Sequence, residues 1–377
     1  MPSTALRKQL MKNVRRVVVK VGTAVLTGED GKLDTGIISR LSHQLAALTE
    51  QGLKVTMVTS GAVGAGMGLA KLASRPRALP MLQASAAIGQ PTLMSLYAKT
   101  LTRHGLTAGQ LLVTRTDFEH RTRYINIRNT IDSLHRLKAV PIINENDTIA
   151  VDEFDRFADN DTIAALVTNL LRADLLVLLT VVDGLLTDSG QLIDLVPNID
   201  ENVLAHAHKG RSALGSGGMT SKLRAVSMVT EAGEAVVIAN GRRRNVLTRL
   251  LEGDRIGTFF APASRKLSAR DRWIRSAVRP AGGIVIDDGA TQAVLNNGKS
   301  LLARGISHVT GKFNAGDIVK LVTLSGKTIA HGVSNYNADK LDRIKGLKTS
   351  EIAETLGTKS PPEAVHRDNL VLIVGHK

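Results

Sequence analysis

The sequence predicts an α/β fold, a mainly parallel open sheet flanked by helices, followed by a small β-rich C-terminal domain. Three observations carry this. Apolar runs of strand length alternate with longer stretches of helical periodicity; loops with Gly, Asn and Asp follow strand after strand; and the rhythm changes near residue 275 to short runs separated by turn signals. Apolar residues make up 43% of the 377 and aromatics only 3%. The core must therefore be built from Leu, Val, Ile and Ala, which suits a parallel sheet covered on both faces.

Taken in order, Val17–Val21, Val55–Thr59, Leu111–Thr114, Val140–Asn144, Leu175–Thr180 and Val236–Ala239 read as buried strands. Between them, Ile37–Glu50 places Ile37, Leu41, Leu45 and Leu48 three or four apart, and Thr162–Leu171 and Leu223–Ala232 read likewise as helices. From Gly283 onward the runs Ile284–Ile286, Ser300–Leu302, Ile318–Leu321 and Thr328–Val333 are separated by turn signals at Asp288-Gly289, Asn297-Gly298, Asn314-Ala315-Gly316 and Ser325-Gly326. The boundaries expected are a main domain over 1–260, a basic connector over 261–279, and a small domain with a C-terminal tail over 280–377.

Composition excludes several chemistries. There is no cysteine, hence no disulfide, thiolate metal site or Cys nucleophile. The opening MPSTALRKQLMKNVRR lacks an apolar core of signal-peptide length, and no apolar run approaches a membrane span. A cytoplasmic protein without a membrane partner is expected. Net charge is +15, and 11 Lys/Arg fall within 242–279 against Glu252, Asp254 and Asp271. Such a stretch suits a nucleic acid or an anionic substrate, or else a solvated linker with snorkelling arginines. The absence of interleaved aromatics favours the linker.

The chemistry-bearing residues cluster after the strands, where open α/β sheets bind ligands. Lys20-Val21-Gly22-Thr23 can hold phosphate oxygens with an ammonium and backbone N–H groups, although Lys-x-Gly at a strand end also occurs without function. Thr59-Ser60-Gly61-Ala62, with Gly64, Gly66 and Gly68, reads either as a loop approaching a ligand or as a tight connection needing glycine for packing. Asn144-Glu145-Asn146-Asp147 and Asp159-Asn160-Asp161 exceed what turns and caps need, though Asp161 could simply cap a helix starting at Thr162. Asp can receive an ammonium and Asn can fix a carboxylate. Gly215-Ser216-Gly217-Gly218-Met219 precedes Lys222 at a helix start, where unsatisfied N–H groups favour phosphate. The bland reading is a flexible loop.

In this order, Lys20-x-Gly-Thr, Thr-Ser60-Gly-Ala, Ile-Asn144-Glu-Asn-Asp147, Asp159-Asn-Asp161 and Gly215-Ser-Gly-Gly-Met-x-x-Lys222 resemble the amino acid kinase family, in particular its members that phosphorylate the side chain of glutamate. Gly289-Ala-Thr-Gln-Ala-Val, Val309-Thr-Gly-Lys-Phe and His331-Gly-Val-Ser-Asn-Tyr resemble the PUA domain attached to bacterial enzymes of that type. The resemblance implies transfer of a phosphoryl group from ATP with Mg²⁺ to the γ-carboxylate of L-glutamate, the first step of proline biosynthesis. Carried over by position, Lys20 and Lys222 would neutralise the transferring group and Asp161 would orient them. Ser60, Asn144, Asp147 and Asn160 would bind glutamate. ATP would be held by Lys20, Gly22, Thr180, Val181, and the run Ser216, Gly217, Gly218, Met219, Thr220, Ser221 and Lys222. It also implies a homo-oligomer, feedback inhibition by proline, and RNA contact or regulation through the PUA-like tail.

One departure is visible. The family has Thr-Asp where this sequence has Thr180-Val181, so a nucleotide contact through that Asp side chain is lost unless Asp183 substitutes. Two other readings stand beside the first. Another acyl-phosphate-forming kinase of the same family would fit the fold, but Asp147 offers a partner to a free ammonium that an acetylated amine lacks. An RNA-binding or RNA-modifying protein would fit the tail, but no base-flipping constellation accompanies it.

Overall fold

In the computed structural model, which describes residues 3–28, 31–150, 160–208, 218–277, 280–358 and 361–373, the chain divides into two compact units, Met1–Lys266 and Leu267–Lys377. The division falls inside the stretch read as the connector.

The apolar runs of the first unit form one eight-stranded sheet. Its strands are β1 (Arg16–Val21), β2 (Lys54–Val58), β3 (Thr107–Val113), β4 (Ala139–Glu145), β5 (Leu175–Thr180), β6 (Leu195–Val196), β7 (Ala235–Asn240) and β8 (Thr258–Phe260). Their order is β3-β4-β2-β1-β5-β7-β8-β6, and every neighbouring pair is parallel except β7 with β8. The mainly parallel sheet flanked by helices is thus as the sequence predicts. β6 and β8, at two and three residues, are too short to show a period, and the sequence reading missed both.

Alternation along the central strands sorts side chains onto two faces. Val17, Val19 and Val21 of β1, with Leu175, Val177 and Leu179 of β5, join the core formed with the helices Thr35–Glu50 and Leu79–Thr102. The opposite face is covered by the helices Asn160–Leu171 and Met219–Thr230, which also pack on each other. Lys20 lies on that second face, between Val58 of β2 and Leu178 of β5 in the register. From Asp161 to Leu171 every residue is buried, so this helix is enclosed on all sides.

The glycines after Ser60 serve packing. Gly61 caps the helix Ala62–Leu69 with φ +104, a left-handed backbone that favours glycine. A Cβ on Gly66 would lie 1.7 Å from the Ser85 carbonyl oxygen, and one on Gly89 2.0 Å from that of Ala62. The two helices touch backbone to backbone, so the structure gives Gly66 the packing role.

In the second unit, β9 (Gly282–Ile286), β10 (Leu301–Leu302), β11 (Ile306–Gly311), β12 (Ile318–Thr323), β13 (Thr328–Val333), β14 (Glu363–Val365) and β15 (Leu370–Leu372) form two sheets. The larger has the order β11-β9-β12-β13-β15, with β9 and β12 parallel and the other neighbours antiparallel; β10 pairs with β14. Ile284, Ile286, Val319 and Leu321 fill its core with Leu341 and Ile352 from two short helices. The Asp288-Gly289 turn is a correction: Asp287 caps a helix over Asp288–Asn297, its carboxylate accepting from the Ala290 N–H. An Asp preceding Asp-Gly serves as well for an N-cap as for a turn.

Candidate active site

The carboxyl ends of β1, β2, β4 and β5 carry the polar residues of the first unit's central sheet. Asp161 lies in the first turn of its helix, fully buried, and accepts from two ammonium groups. Lys20 Nζ is 2.8 Å from its Oδ1, and Lys222 Nζ is 3.0 Å from its Oδ2. Burial alone would raise this carboxyl, but the two lysines beside it hold it below the ordinary carboxylate range. The alternative of Asp161 as a cap for a helix starting at Thr162 is thereby corrected. The helix begins at Asn160, and the Asp161 side chain turns inward to the lysines.

The second cluster is built from amides. Asn160 Nδ2 donates to Ser60 Oγ at 2.8 Å and to Asn144 Oδ1 at 3.1 Å, and Asn144 Nδ2 donates to Gln90 Oε1 at 2.9 Å. Two buried atoms of this chain, Asn160 Oδ1 and Gln90 Nε2, have no partner among the described residues. A buried acceptor and a buried donor left unpaired cost stability unless a ligand completes them. Asp147 is half-buried nearby in sequence, and burial pushes its carboxyl up to about 6, with Arg75 opposing.

The remaining predicted residues surround the lysines. Gly22 donates its N–H to the Leu179 carbonyl, so that N–H serves the sheet and not an anion nest. A side chain at Gly22 would begin 3.6 Å from Lys20 Nζ, in contact with the buried ammonium. Thr180 ends β5 half-buried, while the Val181 side chain is exposed. Gly218 stands at the N-cap of Met219–Thr230, with no atom of the described residues within 4 Å of where its Cβ would lie. Met219 and Thr220 are half-buried, and Ser221 is buried. Ser216 and Gly217 lie outside the described residues, as does Asp159.

Residues 15–240 match the amino acid kinase family, and residues 282–356 match the PUA domain. The chain belongs to the amino acid kinase family. Among its relatives in that family, the glutamate 5-kinase of Moorella thermoacetica is 45% identical over 369 residues, spanning 96% of this chain and 97% of the relative. That of Geobacter sp. strain M21 is 41% identical over 374 residues, 98% of this chain and all of the relative. In the solved structures, the N-acetylglutamate synthase of Neisseria gonorrhoeae complexed with coenzyme A and N-acetyl-glutamate aligns with a TM-score of 0.51 at 17% identity. The alignment covers 70% of this chain and 63% of that one, and it shows a shared fold.

Sequence reasoning missed Gln90, Asn240, Arg242 and Arg243 as parts of this kinase's polar architecture. Gln90 carried one signal, an amide among the small and apolar residues Ala86, Ala87, Ile88 and Gly89. The three arginines from Arg242 were counted only as linker charge.

Proposed function

We propose that the chain transfers the γ-phosphoryl group of ATP to the γ-carboxylate of L-glutamate, giving γ-glutamyl phosphate, the first step of proline biosynthesis. One observation carries the reading: a carboxylate flanked by two buried lysines stands directly beside a buried amide cluster, Asn160 and Asp161 being consecutive. Lys20 and Lys222 reach phosphate oxygens from two sides, and Asp161 fixes both ammonium groups. The Ser60–Asn144–Asn160–Gln90 chain offers the Gln90 Nε2 donor to a carboxylate and the Asn160 Oδ1 acceptor to an ammonium. Asp147 supplies the countercharge for the α-ammonium.

The chemistry asks little of the protein beyond placement and charge. A carboxylate oxygen of glutamate attacks the γ-phosphorus while the bond to ADP breaks, and the negative charge leaves with ADP. No proton is transferred, so no general base is required. The two ammonium groups stabilise charge spreading over the equatorial and bridging oxygens. Mg²⁺ bound to the ATP phosphates would add further positive charge to that of the two ammonium groups. Among the described residues no group of three or more His, Asp and Glu could hold a metal alone, and no helix is long and apolar enough to cross a membrane. A cytoplasmic setting supplies the ATP.

The test is a coupled assay with ATP, Mg²⁺ and a panel of amino acids, with hydroxylamine to trap the acyl phosphate. Glutamate should exceed N-acetylglutamate and aspartate by about five- to 150-fold, since an unpaired buried polar group costs about 1–3 kcal/mol. Equal turnover with N-acetylglutamate would remove glutamate as the substrate and leave the kinase fold standing.

A further inference from the structure

The four residues that close β7 and follow it bind both loops that flank the lysine pair. Asn240 Nδ2 donates to Asp183 Oδ1 at 3.1 Å, and Arg243 grips the same carboxylate with two N–H groups, Nε at 2.8 Å from Oδ1 and Nη2 on Oδ2. The Gly241 N–H donates to the Thr180 carbonyl at 2.8 Å. Arg242 turns the other way: its Nη2 donates to the carbonyls of Ala24 and Thr27, each at 2.9 Å. Asn240 Oδ1 in turn accepts from the Arg242 N–H at 3.0 Å. A side chain at Gly241 would begin 2.8 Å from Val25 Cγ1 and 3.0 Å from Leu179 Cβ, so only glycine allows this approach. One short segment therefore ties Thr180–Asp183 at the end of β5 to Thr23–Thr27 behind Lys20 and Gly22.

We infer that Asn240–Arg243 is a positioning bracket that fixes the two nucleotide-side loops against each other, with Asp183 as its anchor and not a ligand of the nucleotide. The inference rests on the kinase reading above. It also resolves the departure at Val181. The one carboxylate that could substitute for the missing Asp, Asp183, is already engaged by one arginine and one amide, which hold it ionised below the ordinary carboxylate range. With Val181 apolar and Asp183 turned to Arg243, the loop offers the nucleotide its backbone groups. Those contacts depend on where the backbone stands, and the bracket sets that position.

A bracket acts on nucleotide binding more than on the glutamate side, because Ser60, Asn144 and Gln90 hang from β2, β4 and another helix. Asp183→Asn, Arg243→Gln and Arg242→Ala should each raise KM for ATP by about two- to fivefold, the weight of one half-exposed ion pair or hydrogen bond. KM for glutamate and the melting temperature should stay unchanged. The double variant D183N/R243Q should be no worse than either single, since both remove one contact. Arg242→Lys should recover most of the loss, because one ammonium can reach both carbonyls. Three results overturn the inference: D183N lowering kcat while R243Q does not, which makes Asp183 a ligand of nucleotide or metal; equal rises in both KM values with a lower melting temperature, which makes the segment a general structural joint; or no change in any variant. ATP affinity by calorimetry without glutamate gives the same ordering of variants. That measurement keeps the bracket testable even if the unaltered chain fails to turn over glutamate, a failure that would count against the substrate assignment alone.

Discussion

Arg7 and the pair Lys20 and Lys222 are cations withdrawn from water within the same unit, each set against an aspartate. Arg7 is 1% exposed and Lys20 and Lys222 are 5% and 6% exposed. Around Arg7 the protein supplies nearly everything a guanidinium can use. Nη1 donates to the Asp254 and Ile256 carbonyls at 3.2 and 3.0 Å, and Nη2 to those of Asp194 and Gly257 at 2.5 and 2.9 Å. Nη2 also lies 2.8 Å from the Asp194 carboxylate. The Phe259 ring lies 5.6 Å from its central carbon. Burial pulls the Arg7 pKa down and Asp194 opposes it. Lys20 meets one acceptor, Asp161, among the described residues, with three N–H donors to place. Loop carbonyls and the Asp194 carboxylate engage both terminal nitrogens, Nε alone lacking a partner among the described residues, and make a joint between the helix Ser3–Lys12 and the segments around β6 and β8. One carboxylate set against the three donors of Lys20 leaves that ammonium charge to be completed by an incoming anion.

The sharpest way to break that contrast is to remove each cation and ask what is lost. Lys20→Ala and Lys222→Ala should each lower kcat on the order of 10²–10³, the usual cost of losing one preorganised charge donor at a reacting group. Glutamate binding should weaken far less. Lys→Arg should not fully rescue either site, because a planar guanidinium does not replace a compact ammonium. Steady-state kinetics on correctly folded variants decide it. Near-normal kcat at saturating ATP and glutamate would make the lysines structural, like Arg7.

Arg7→Met should do the reverse. Removing one partner of a buried ion pair costs about 3–5 kcal/mol, and here it also strands the carbonyls of Asp254, Ile256 and Gly257. Urea unfolding should show the loss, while kcat of the folded enzyme stays as before. A variant of normal stability would mean that Asp194, which also pairs with Arg255 at 3.2 Å, and water satisfy the site unaided.

The roles of Lys20, Asp161 and Lys222 came only from the resemblance, and what the structure adds is that the three side chains meet. The three could be singled out because each sits at a strand end or helix start beside an apolar run. The central strands were legible for the same reason: buried on both faces, they read as unbroken Val, Leu and Ile. Arg7 was invisible. Its partners are main-chain carbonyls about 190 to 250 positions away, and a carbonyl has no signature in sequence. The same holds for Arg242, which grips two carbonyls of a distant loop. Asp183 was visible, but its engagement by Arg243 was not, since nothing local links residues 60 positions apart. The basic count of 242–279 hid two different fates: Arg242 and Arg243 make specific contacts, and Arg272 is buried outright.

The smallest expected effect sharpens the contrast from the carboxylate side, through pH. Asp161 is held ionised by two lysines, whereas among the described residues Asp147 has no such pair, and burial pushes its carboxyl up to about 6. If Asp147 receives the ammonium of glutamate, it must be ionised to do so. KM for glutamate should then be flat above pH 7 and rise as pH falls through about 6, approaching tenfold per unit below it. The γ-carboxylate of glutamate titrates near 4.3, so the window between pH 5 and 6 reports the protein. Stability moves the other way. A carboxyl whose folded pKa lies above its unfolded value of 3.8 favours the fold when protonated, a contribution present at low pH and lost as pH rises through about 6. Acidification should therefore weaken glutamate binding while this one group adds stability. Asp147→Asn should raise KM at neutral pH, flatten its pH profile and remove that stability increment. A wild-type KM that stays level from pH 7.5 to 5.5 would mean Asp147 does not meet the ammonium, and the buried acceptor Asn160 Oδ1 would then have to serve alone.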